Sequence, residues 1–133
     1  MNEPRITLAL LGDGWWTLTL EFPGHPVVTC RTDASRAIPE AVIDWLDELA
    51  AGRIPTPILF DEEPEEVVIG VVATADPAIV RLTVTRDSVD GQPVTTLLDL
   101  PLGSWALAKS LDTALEMIGR SLEGTEVTRD WLT

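Results

Sequence analysis

The chain has 133 residues, 45% of them hydrophobic and 23% charged, a length and balance that suit one globular domain with its own core and exclude a disordered tract. Twenty-two acids against nine bases give a formal net charge of -13, which repels phosphates and so excludes nucleic acid and anionic membranes as expected partners. The single cysteine, Cys30, excludes an intrachain disulfide, and the composition of eight Arg, one Lys and plentiful Ala, Gly and Pro matches a GC-rich bacterial genome.

The N-terminal apolar run, Ile6 to Leu11, is too short for a signal peptide, and no stretch approaches the roughly 20 apolar residues of a membrane helix. A cytoplasmic location is therefore expected. Ile6 to Leu11 reads as a strand, followed by a Gly12-Asp13-Gly14 turn. From Trp15 to Phe22 the chain alternates, with Trp16, Leu18, Leu20 and Phe22 on one face and Trp15, Thr17, Thr19 and Glu21 on the other. These two segments predict a hairpin. Pro23-Gly24-His25-Pro26 breaks it, and Val27 to Arg31 is a third short strand.

Asp33 to Ser35 offers caps for a helix, and Pro39 suits its first turn. Ile38, Val42, Trp45, Leu46 and Leu49 recur at helical spacing, while Glu40, Asp44, Asp47 and Glu48 lie off that stripe. Gly52 is a C-terminal stop. Residues 53–66 form a Pro-rich acidic connection, in which Ile58-Leu59-Phe60 reads as an edge strand or an anchored loop. Val67 to Ala73 is apolar and β-branched, which predicts a strand buried on both faces. Val80 to Thr85 alternates, Asp90-Gly91 marks a hairpin turn, and Val94 to Leu100 returns as the last strand. Ser104 to Leu122 reads as a second helix with Leu107, Leu111, Leu115, Ile118 and Leu122 on one face, and Gly124 ends it.

The expected fold is a single two-layer α+β domain spanning 1–133. It has one mostly antiparallel sheet of five to six strands with two helices on one face, in the order β-β-β-α-(β)-β-β-β-α.

Chemistry-bearing constellations are sparse. His25 is the one histidine, and its only possible thiol partner, Cys30, lies in an expected strand, where a lone cysteine behaves as a buried hydrophobe. Zinc needs more Cys and His ligands than these two. The acidic run lacks EF-hand spacing, and no P-loop is present. No catalytic set, metal or cofactor is expected; carboxylate pairs for acid-base work stay open, because 22 acids always offer them.

Two features point to binding. Asp61, Glu62, Glu63, Glu65 and Glu66 form a dense acidic run, with Asp44, Asp47 and Glu48 near it in sequence. Five tryptophans stand in a chain without tyrosine; Trp16 and Trp45 fall on apolar faces, whereas Trp15, Trp105 and Trp131 do not. Exposed tryptophan beside acids combines a desolvated anchor with electrostatic steering. In size, α+β layout and charge the chain resembles bacterial immunity proteins. The resemblance implies an inhibitor that neutralises a basic protein partner, such as a cognate toxin, through the acidic run, with Trp15 as an anchor. Other classes stay open: a small-ligand binder or carboxylate enzyme on the polar sheet face (Thr17, Thr19, Arg81, Thr83, Thr85), a DNA mimic, or an assembly subunit joined at Ile58-Leu59-Phe60.

Overall fold

The computed structural model describes residues 4–11, 14–33, 38–62, 65–87 and 94–121. Its elements run β1 (Arg5–Leu10), β2 (Trp15–Glu21), β3 (Val28–Asp33), α1 (Ile38–Ala50), β4 (Ile58–Asp61), β5 (Glu66–Ala73), β6 (Ile79–Asp87), β7 (Thr95–Gly103) and α2 (Ser104–Ser121). The α+β class holds. The sheet count does not: among the described residues seven strands form two antiparallel sheets, β1-β2-β3 and β4-β5-β6-β7, instead of one sheet of five or six. β3 and β4 lie side by side without sharing a ladder.

The first hairpin forms as its alternation dictates. Gly14 takes a φ of 86°, and the Leu11 N–H donates to the Trp15 carbonyl at 2.8 Å to close the turn. The register then sets Leu8 opposite Leu18 and Leu18 opposite Cys30, which sends Ile6, Leu8, Trp16, Leu18, Leu20, Val28 and Cys30 to one buried face.

The second sheet obeys the same period. Ile58 and Phe60 of β4, Val67, Ile69 and Val71 of β5, Val80, Leu82 and Val84 of β6, and Leu98 and Leu100 of β7 all point inward. β5 is therefore not buried on both faces: Val68 is half-buried, and Val72 is 50% exposed. A β-branched run carries apolar residues at both parities, so it cannot report that one face meets solvent.

α2 packs against β1, β7 and α1. Its stripe of Leu107, Leu111, Ala114, Leu115 and Ile118 joins Ile38, Val42, Trp45 and Leu49 of α1 and the inner faces of both sheets in one core. The α1 terminus is a Schellman motif: Gly52, at φ 76°, donates to the Leu49 carbonyl at 3.1 Å, and the Arg53 N–H donates to the Glu48 carbonyl at 2.8 Å. This reversal lays the Arg53–Leu59 segment alongside α1. The expected cap at Asp33–Ser35 falls partly, and the Asp90-Gly91 turn and the Gly124 stop wholly, outside the described residues. No described helix is long and apolar enough to cross a membrane.

Candidate functional site

Strand parity sorts the acidic run into two sets. Phe60 and Glu62 share the inward direction of β4, as Val84 and Arg86 share that of β6. Glu62 and Arg86 therefore meet at one end of the core. The Glu62 side chain is only 16% exposed, and its Oε1 accepts from Arg86 Nη2 at 3.1 Å. Its Oε2 accepts from the backbone N–H of Arg31 at 3.0 Å. One carboxylate thus links β3, the end of β4 and β6, across the gap where the two sheets share no ladder. Glu65 stands beside Arg86 as well, 3.9 Å from its Nε. Cys30 and Thr32 lie fully buried on the same inner face of β3. Burial, and then the nearby Glu62 charge, push the Cys30 thiol up to about 12, with Arg86 opposing.

Asp61 and Glu66 point the other way. The register sets Asp61 opposite Glu66 and Glu66 opposite Asp87, so three carboxylates line up across β4, β5 and β6. Like charges placed directly opposite each other are unfavourable, and this row concentrates negative potential at the outer strand ends. Glu63 lies outside the described residues.

The α1 acids form a different feature. Asp44 and Asp47 are exposed, Glu48 is half-buried, and all three line a groove of about 760 Å³ between α1 and the Arg53–Leu59 segment. Ile38, Pro55, Ile58 and Leu59 supply its apolar part. Leu59, on the outward side of β4, is 46% exposed. Two bonds hold the groove's walls together. Trp45 donates its indole N–H to the Thr56 carbonyl at 2.6 Å, and Arg53 grips Glu48 through two bonds, at 2.8 and 3.2 Å. That double donation from Arg53 holds the Glu48 carboxyl below its ordinary value. The lining includes none of Asp61, Glu62, Glu65 or Glu66, so nearness in sequence did not bring the two acidic groups into one groove.

Trp15 is half-buried on the outer face of the first sheet, with the Arg31 guanidinium 5.1 Å from its ring centroid. Trp16 and Trp45 are core residues. Trp105 is 78% exposed at the first turn of α2, and Trp131 lies outside the described residues.

The polar residues considered for one ligand face divide between the sheets, Thr17 and Thr19 on β2 and Arg81, Thr83 and Thr85 on β6. Arg81 donates to Asp99 at 2.6 Å, and the Thr83 hydroxyl donates to the Gly70 carbonyl at 3.4 Å. Neither the α1 groove nor a second groove beside α2 is lined by Thr17, Thr19, Arg81, Thr83 or Thr85. Among the described residues no group of three or more His, Cys, Asp or Glu is arranged to hold a metal.

The apolar floor that Pro55, Ile58 and Leu59 give the α1 groove escaped the sequence reading. The one signal for it was Gly52, whose left-handed turn folds the prolines back along the helix. No family model matches the chain, and no curated protein or solved structure matches it at a significant level.

Proposed function

We propose that the protein is a small acidic binding protein of the immunity type, which neutralises a basic protein partner by direct contact through the α1 groove. The observation that carries the reading is the pairing of two exposed carboxylates, Asp44 and Asp47, with an apolar floor in one groove, where Arg53 already occupies Glu48, on a chain of net charge -13. Lysine and arginine side chains combine an aliphatic stem with a cationic head. A groove with apolar walls and a carboxylate rim complements both parts. The strand-end row of Asp61, Glu66 and Asp87 extends the negative field and steers approach. Trp15, half-buried on the outer face of the first sheet, is a candidate aromatic anchor.

Asp44 and Asp47 are exposed, so replacing them leaves the core intact. The test is affinity capture from the source cell, followed by association kinetics with the captured protein. The Asp44→Lys/Asp47→Lys variant is expected to bind a basic partner at least about tenfold more slowly at low ionic strength and to lose most of the salt dependence. A partner that binds the double variant at the wild-type rate in low salt would refute the assignment.

A further inference from the structure

The second groove has the opposite chemistry. It encloses about 1270 Å³ between the exposed side of α2, the start of β1 and the turn after β2. Trp105 at 78% exposure, Val27 at 60% and Met117 at 60% are the most exposed large apolar side chains among the described residues, and all three line it. Isolated exposed apolar residues need no explanation, but three converging on one groove do.

Its charge also departs from the rest of the surface. Arg5 and Lys109 line it against one carboxylate, Glu21, a net positive lining in a chain of 22 acids and nine bases. Arg5 reaches Glu21 only at 4.0 Å, with both side chains well exposed, and no carboxylate of a described residue pairs with Lys109. Lys109 and Thr113 fall at steps of four between Trp105 and Met117. The stripe from Trp105 to Met117 is therefore about 18 Å long, the span of roughly five extended residues.

We propose that this groove docks an extended segment of a partner protein, one that carries apolar side chains and at least one carboxylate. Trp105 and Met117 bury the apolar side chains, and Lys109 and Arg5 receive the acid. Charge complementarity selects this occupant over a second copy of the chain, because two bodies of charge -13 repel and the groove would set cation against cation. The site shares no lining residue with the α1 groove.

The test uses the full chain and two short synthetic peptides, each with leucine and valine alternating with one charged residue: glutamate in one peptide, lysine in its twin. Trp105 emission, isolated by subtracting the Trp105→Phe spectrum, reads occupancy. The glutamate peptide is expected to shift that emission to the blue and bind more tightly than its twin. Trp105→Ala should weaken it by about 30-fold, and Lys109→Glu by roughly tenfold. Leu59→Ser, a charge-neutral change in the α1 groove, should leave it unchanged, which separates this site from that groove. Equal binding of both peptides, binding of neither, or insensitivity to Trp105→Ala and Lys109→Glu overturns the proposal. So does sedimentation equilibrium that shows a dimer abolished by Trp105→Glu, which assigns the groove to a second copy.

Discussion

Replacing Glu62 by alanine removes the carboxylate that spans the unladdered gap between the sheets. The loss can be worked from its contacts. The Arg31 N–H at 3.0 Å and Arg86 Nη2 at 3.1 Å both lose their acceptor. Hydrogen bonds to a charged group contribute about 1.5–3 kcal/mol, and breaking a fully buried pair costs about 3–5 kcal/mol. Arg86 is 34% exposed and keeps Glu65 at 3.9 Å, so its stranded charge is partly screened. The expected cost is therefore about 2–3 kcal/mol, lying between an exposed and a buried pair. For a chain of 133 residues that lowers Tm by about 7–11 °C. Urea unfolding followed by tryptophan emission and by far-ultraviolet circular dichroism gives the free energy, and coincidence of the two transitions checks two-state behaviour. Glu62→Gln keeps one acceptor oxygen and should lose only about 1 kcal/mol. In Glu62→Ala/Arg86→Ala the losses should fall short of their sum, because both single variants break the same contact. A Glu62→Ala change within about 0.5 kcal/mol of wild type, the range of an ordinary surface substitution, would show that the carboxylate does not hold the sheets together.

Two further outcomes follow from side chains already placed. The buried Cys30 thiol, raised from 9.0 to about 12, stays neutral in the folded chain while the unfolded thiol ionises near its ordinary value. The unfolded state then binds fewer protons, so this group's stabilisation is complete below about pH 9 and falls as pH rises towards 12. Urea midpoints above about pH 9 should drop more steeply for wild type than for Cys30→Ala; parallel curves would refute the assignment. Trp45→Phe keeps the ring in the core but deletes the 2.6 Å bond to the Thr56 carbonyl. A loss of about 1 kcal/mol is expected, with faster amide exchange confined to the Arg53–Leu59 segment. Unchanged exchange there would show that the indole does not tether the groove wall.

Local periodicity and β-branching place both helices and six of the seven described strands to within a few residues, because they are properties of neighbours in sequence; β4, too short to show a period, stays open between strand and loop. The division into two sheets was not legible. Whether β3 and β4 share a ladder depends on how the α1 crossover sets them, and nothing in Val28–Asp33 or Ile58–Asp61 encodes that. Charge counting placed Glu62 with Asp61 and Glu66, but parity turns it inward onto Arg86, a residue 24 positions away. The α1 acids were legible as an off-stripe set. Their groove was not, because it needs the Gly52 reversal and the Trp45 bond to bring Pro55 and Leu59 against the helix. The exposure of Trp105 follows from its position off the α2 stripe; its convergence with Val27 and Met117 is a tertiary fact.

The α1 helix keeps Val42, Trp45 and Leu49 on one side and Asp44 and Asp47 on the other, both of the latter in solvent. The angular separation means that residues 44 and 47 can be exchanged freely without disturbing what Trp45 anchors. A lineage carrying this helix could retune which partner it recognises one surface residue at a time, each step nearly neutral for folding. Rapid change of that kind at 44 and 47, against constancy at 42, 45 and 49, is the pattern a pair of coevolving antagonists would leave.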